Sequence, residues 1–137
     1  VGKRTEDSSL TEEKPKYINN QTLEKIKEEY PLINIQSHSY NFHYREGNKK
    51  RVQNMNISQI REDFNQNKDK GYTYIAYPFG KYTKDLLKVV KENNYKLGFR
   101  FFNNQLFASR KSPRYEIPRA KVNGYSDVNT IIRLLDY

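Results

Sequence analysis

The sequence predicts an α/β fold with a mainly parallel sheet, and three observations predict it. Helical runs of about 10 to 14 residues alternate with short β-rich runs, which is the pattern of βα units. Apolar residues of the helical runs recur at spacings of 3 and 4, whereas the strand runs are continuously apolar or aromatic. At 137 residues the chain can bury one core but not two, so a single domain is expected, and no internal repeat of fixed period is visible.

Residues 5–20 are polar, carry Pro15 and read as a loop. A helix then runs from Asn20 to about Tyr30, with Leu23, Ile26 and Tyr30 on one face, and Pro31 stops it. Leu32 to Gln36 reads as a short strand with His38 and His43 on its exit. Tyr44 to Asn54 is a charged surface excursion that turns at Gly47 and Asn48. Asn56 caps a second helix with Ile57, Ile60 and Phe64 on one face, and Gly71 lies past its end.

Tyr72 to Tyr77 is the second strand and runs directly into Pro78, Phe79 and Gly80. Thr83 caps a third helix carrying Leu86, Leu87, Val90 and Tyr95, followed by a strand at about Leu97 to Phe102. After a loop at Asn103 and Asn104, an extended segment leads to a strand over Tyr115 to Val122, interrupted by Pro118. Ser126 caps the last helix, with Val128, Ile131, Ile132 and Leu135 expected to face inward.

Hydrophobic residues make up only 35% of the chain, yet 12 Tyr and 7 Phe supply buriable surface that a disordered segment would lack. The net charge of +9 favours an anionic partner or environment: nucleic acid, an acidic cell-wall polymer or a membrane surface. Its cations are spread along the chain with only Lys49, Lys50 and Arg51 clustered, so no basic tail is present. The absence of cysteine removes disulfides, thiolate metal sites and cysteine nucleophiles together, and leaves the compartment open. No apolar stretch approaches the roughly 20 residues of a spanning helix, and the first residues do not form a signal peptide. A chain that begins with Val1 rather than Met is expected to start inside a longer protein.

His38 and His43 are the only histidines. Neutral imidazole is the commonest side-chain metal ligand, and two of them where a buried strand would surface form the pattern of a metal site. Taken alone, the pair also fits two neighbouring surface histidines. In parallel α/β folds functional groups gather at the C-terminal ends of strands. Two exits are unusual here: Ser37 to His43, and Ile75 to Tyr82.

These residues resemble the polysaccharide deacetylases of carbohydrate esterase family four, the NodB-homology enzymes. Ser37 to His43 resembles their second motif, with histidines five apart as in the poly-N-acetylglucosamine deacetylase branch, and Tyr77 to Gly80 resembles their third. Glu116 to Val122 is similar to a late strand of that branch, and Val1 resembles the end of an early barrel strand. The resemblance implies the later part of a distorted (β/α) barrel. Residues 1–137 would then be a partial deacetylase domain, with its N-terminal strands and first motif lying before Val1.

The resemblance also implies a reaction: metal-dependent hydrolysis of N-acetyl groups from N-acetylglucosamine residues of a bacterial surface or cell-wall polysaccharide, outside the cell or at its surface. A divalent metal, zinc in most such sites, would be held by His38, His43 and one carboxylate. The N–H of Phe79 would stabilise the tetrahedral oxyanion, since Pro78 has none to give. Tyr40, Tyr77, Pro78 and Arg119 would bind substrate; the aromatics also fit core packing, and Arg119 also fits orienting a carboxylate or pairing with an acidic residue at the surface. The family's paired aspartates occur nowhere in this chain, and Asp63, Asp69 and Asp85 lie on or beside helices, where solvated or dipole-stabilising roles suit them better. Ala76 stands where many members carry an arginine, no tryptophan is present, and no late histidine can protonate the leaving amine. The chain alone is therefore expected to be inactive.

Two readings of other classes stand beside this one. A noncatalytic basic module would bind an anionic polymer or single-stranded nucleic acid, with steep salt dependence that survives loss of both histidines. A degenerate relative would bind carbohydrate without a metal. The resemblance favours the polysaccharide over nucleic acid as partner.

Overall fold

The computed structural model describes residues 18–101, 107–120 and 127–135. Helix α1 (Asn20–Glu29) starts after Asn19, whose side chain accepts the Thr22 amide at 2.8 Å and so satisfies one free N–H of the first turn. None of its residues is buried.

The strand expected over Leu32 to Gln36 does not form. Leu32 is 98% exposed and Ile33 50%, and the chain meets the sheet only at Ser37. There Ser37 N–H donates to the Tyr74 carbonyl at 3.1 Å, and its carbonyl accepts the Ala76 N–H at 3.0 Å. One residue earlier, the side-chain oxygen of Gln36 accepts the amides of Thr73 and Tyr74 at 2.9 and 3.0 Å. A side chain thus takes donors that the backbone of a longer strand would have used.

Past the histidine loop the chain forms an antiparallel hairpin, β1 (Arg45–Glu46) and β2 (Lys49–Lys50), turning through Gly47 at φ 58°. The turn was legible as a turn, but the charged arms carry no strand pattern. Helix α2 (Ile57–Asn65) opens with a reciprocal box in which Asn56 Oδ1 accepts the Gln59 amide and Gln59 Oε1 accepts the Asn56 amide, each at 3.0 Å. It buries Ile60, Asp63 and Phe64.

Strand β3 (Tyr74–Ala76) leads to a single tight turn at Pro78–Gly80. Helix α3 (Lys84–Glu92) is capped by Thr83, whose Oγ1 accepts the Leu86 amide at 3.2 Å, and it packs beside α2. Across that contact Arg61 Nε and Nη2 grip Glu92 at 3.0 and 2.9 Å. Strands β4 (Leu97–Arg100) and β5 (Ile117–Pro118) complete a parallel sheet in the order β3-β4-β5, with Ser37 bridging to the far side of β3.

All three strands are shorter than their sequence runs. At β5 the cause is Pro118, which has no N–H to donate; the next amide, Arg119 N–H, donates to the Arg100 carbonyl at 3.1 Å before the pairing stops. Ile75 and Tyr77 join Ile60 and Phe64 of α2, Leu86, Val89 and Val90 of α3, and Phe42, Val52 and Tyr95 in one core.

Helix α4 (Val128–Leu135) departs from expectation, with Val128 69% and Ile132 46% exposed rather than facing inward. The side chains of Ile131 and Leu135 lie outside the described residues. So do the Ser126 cap, the Asn103–Asn104 loop and most of the 5–20 loop. Among the described residues no helix is long and apolar enough to cross a membrane.

Candidate active site

The four parallel elements all open on one cleft of about 450 Å³. His38 and His43 follow Ser37, Phe79 follows β3, Phe101 follows β4, and Arg119 with Ala120 follows β5; Lys50 reaches in from the hairpin. This is the C-terminal rim of a parallel sheet, where loops rather than strands supply side chains.

The loop carrying both histidines is shaped by three side chains. Ser39 adopts a left-handed backbone (φ 70°), and its Oγ accepts the Phe42 amide at 3.4 Å. Asp63, buried on α2, accepts the amides of Tyr40 and Asn41 at 2.9 and 2.6 Å. Burial pushes the Asp63 carboxyl above the usual carboxylate range, against the pull of those two bonds. Phe42 is fully buried and anchors the loop in the core.

His38 Nδ1 lies 2.6 Å from the Ala76 carbonyl, which can only accept, so Nδ1 carries the proton and Nε2 presents its lone pair. That Nε2 is 3.1 Å from Nδ1 of His43, and the rings meet edge to face at 4.5 Å. Burial lowers the pKa of His38; the Ala76 bond opposes this and the Arg119 guanidinium adds to it. The imidazole is therefore held neutral, the form a metal ligand requires.

Two nitrogens bound to one tetrahedral zinc at about 2.0–2.1 Å stand roughly 3.3 Å apart, so this pair fits two positions of such a site. Among the described residues no third His, Asp or Glu joins them. Asp63 is occupied with the loop amides, and Asp69 and Asp85 are exposed.

Phe79 sits in the turn after β3 with φ 55° and ψ 13°. Gly80 N–H donates to the Tyr77 carbonyl at 2.8 Å and Lys81 N–H to the Pro78 carbonyl at 3.1 Å, which leaves the Phe79 amide outside the turn's own bonds. Only glycine fits at position 80: its φ is +67°, and an added Cβ would overlap the Phe101 backbone. His43 packs against the Phe79 ring edge to face at 4.3 Å.

Arg119 Nη2 donates to the Tyr77 carbonyl at 3.3 Å, while its buried Nε has no hydrogen-bond partner among the described residues. Burial lowers its pKa. The Arg119 side chain lines the cleft with one nitrogen tied to the turn before Phe79.

The structure thus brings His38, His43, Phe79 and Arg119 together, and it moves Tyr77, Pro78 and Tyr40 away from the cleft wall. The Tyr77 ring is fully buried, its hydroxyl donating to the Tyr115 carbonyl at 2.8 Å, and Pro78 is buried beneath the turn. Burial first, then neighbouring phenols and Glu116, push the Tyr77 hydroxyl far above its ordinary pKa. Tyr40 lines a neighbouring polar hollow with Asn41, Arg51 and Asp63. Sequence reasoning missed Lys50 and Phe101 as site residues: Lys50 stands in the Lys49–Arg51 cluster and Phe101 in the strand run from Leu97, and neither pattern points to a cleft.

A model of the polysaccharide deacetylase family matches residues 8–98 of the chain. Among solved structures, the chain is similar to the Streptococcus pyogenes deacetylase PplD in complex with acetate, at 21% identity and TM-score 0.65, over 82% of this chain and 50% of that one. It is similar to the de-N-acetylase from Aggregatibacter actinomycetemcomitans at 15% identity and TM-score 0.68, over 86% of this chain and 53% of that one. The chain thus spans about half the length of each, with the fold of the corresponding part of a (β/α) barrel. No curated protein sequence matches it significantly.

Proposed function

Since the chain belongs to the polysaccharide deacetylase family, we propose that it forms part of a metal-dependent enzyme that removes N-acetyl groups from N-acetylglucosamine residues of a bacterial surface or cell-wall polysaccharide. The observation that carries this reading is the convergence of the His38–His43 nitrogen pair with the Phe79 turn on one rim. An enzyme acting on such a polysaccharide would work outside the cell or at its surface.

His38 and His43 would hold the metal together with a carboxylate from outside the described residues. What a divalent ion supplies there, zinc in most such sites, is acidification of water and polarisation of a carbonyl. Around it the chain's own residues orient and bind. The Ala76 carbonyl fixes the His38 tautomer. The Phe79 N–H stabilises the oxyanion as water adds to the acetamide carbon. The C–N bond then breaks as a proton from the added water passes to the nitrogen, giving acetate and an amine, and acetate is what the PplD structure contains. Phe101 and Arg119 line the same cleft, where they would meet the sugar.

The test is acetate release from chito-oligosaccharides by this chain and by a chain extended upstream to carry an acidic pair. The extended chain is expected to be active, and to lose activity with a chelator and in His38→Ala and His43→Ala, while residues 1–137 alone are inactive. Activity untouched by both histidine changes would sink the reading; equal rates for the two chains would sink the need for upstream aspartates.

A further inference from the structure

We propose that Lys50 is a positioning residue: its ammonium, seated on the Phe79 ring, holds the left-handed turn that aims the Phe79 amide into the cleft. The kinetic part of this proposal rests on the deacetylase reading above. Phe79 has φ 55°, a backbone that residues with side chains rarely adopt, and such conformations persist only where the surroundings impose them. Below the turn, Gly80 lies against the Phe101 backbone and fixes one end. Above it, the ring is held from two directions. His43 meets its edge at 4.3 Å, and Lys50 Nζ stands 3.8 Å from its centroid, well inside the range in which a cation is attracted to an aromatic face. Arg45 Cζ adds a weaker contact at 5.9 Å.

Lys50 can hold the ring because its own backbone is braced. It pairs with Arg45 across the hairpin, and its amide donates to Gln53 Oε1 at 3.1 Å. The next residue, Arg51, donates its amide to the Tyr44 carbonyl at 3.0 Å, pairs with Glu46 and lies over the Tyr44 ring. Asn54 Nδ2 secures the other Glu46 oxygen at 3.1 Å. A charged hairpin with no core of its own is thereby made rigid where it touches the site. Its single half-buried lysine is the one that reaches the ring.

The test uses Lys50→Met, Lys50→Arg and Phe79→Leu in the metal-loaded chain extended upstream as above, with kinetics on chito-oligosaccharides, bound metal per chain and the Phe79 amide resonance in protein labelled with 15N-phenylalanine. Phe79→Leu assigns that resonance by its loss. Lys50→Met is expected to lower kcat about tenfold, the scale of a desolvated cation–π contact, with KM and metal content unchanged and the Phe79 amide shifted. Lys50→Arg restores most of the rate. In the Phe79→Leu background, Lys50→Met costs less than about twofold more, because the coupling is already gone. A raised KM with unchanged kcat would make Lys50 a substrate contact instead, and independent, multiplying losses or an unmoved amide would overturn the proposal. If the extended chain, with Lys50 and Phe79 unchanged, hydrolyses no acetamide, the deacetylase reading fails, and the amide resonance still decides whether Lys50 holds the turn.

Discussion

The carboxylate of Asp63 accepts the Asn41 amide at 2.6 Å, so a residue of α2 holds the middle of the loop that carries both histidines. The second carboxylate oxygen takes the Tyr40 amide at 2.9 Å. The spacing of the two imidazoles therefore depends on a helix residue 22 positions past Asn41.

Asp63→Ala leaves two amides without their acceptor and is expected to cost about 3 kcal/mol in urea unfolding. The pH dependence has a definite sign. Burial raises the folded-state pKa of Asp63, so folding favours its neutral form. That contribution is full below the ordinary value of about 3.9 and is lost as pH rises through the raised one. Asn does not titrate, so the stability of wild type relative to Asp63→Asn should fall as pH climbs upward from about 4. A difference that grows over that window would contradict the assignment.

The histidine pair predicts a metal-linked shift in stability. Excess zinc should raise the melting temperature of the wild type by mass action, and a chelator should reverse it. His38→Ala and His43→Ala should each weaken zinc binding by more than about 100-fold, since loss of outer-shell partners alone costs about 10–100-fold. Isothermal titration gives the affinities; an undiminished affinity in either variant removes that residue from the site.

Gly80 and Gly71 share a left-handed backbone but not an environment. At Gly71 an added Cβ meets nothing within 4 Å, whereas at Gly80 it strikes the Phe101 backbone. Gly71→Ala should cost about 1 kcal/mol for conformation alone. Gly80→Ala should cost at least about 2 kcal/mol more and disturb the site turn with it. Equal losses in thermal unfolding would mean that the contact with Phe101 is not tight.

Caps on buried and unburied helices should behave differently. Asn56→Ala removes half of a reciprocal box on a helix that packs into the core, and should lower global stability by about 1 kcal/mol. Asn19 caps a helix with no buried residue, so in Asn19→Ala hydrogen exchange should report local fraying of α1 while the global transition stays put. A global loss in both would show that α1 packs more tightly than its exposure indicates.

Local chemistry made much of this fold readable. Asn56 and Thr83 cap the expected helices, Ile60, Phe64, Leu86 and Val90 are buried as their spacing requires, and Gly47 and Gly71 turn the chain where they stand. Each depends on residues within a turn or two. The failures involve distant partners. Leu32 to Gln36 looked like a strand, but pairing depends on what lies alongside, and Gln36 used its side chain there instead. Val128 and Ile132 fit an inward face that the structure leaves exposed.

The candidate site divides in the same way. The sequence by itself determined that two imidazoles follow an apolar run and that Phe79 sits in a Pro–Gly turn, because those are facts of chain order. Only the tertiary structure decided that His38 Nε2 faces His43 Nδ1, that Asp63 sets the loop between them, that Tyr77 belongs to the core and that Lys50 rests on Phe79. The reason is geometric: parallel strands bring their exits to one rim, and residues 20 to 80 positions apart become neighbours that no local pattern announces.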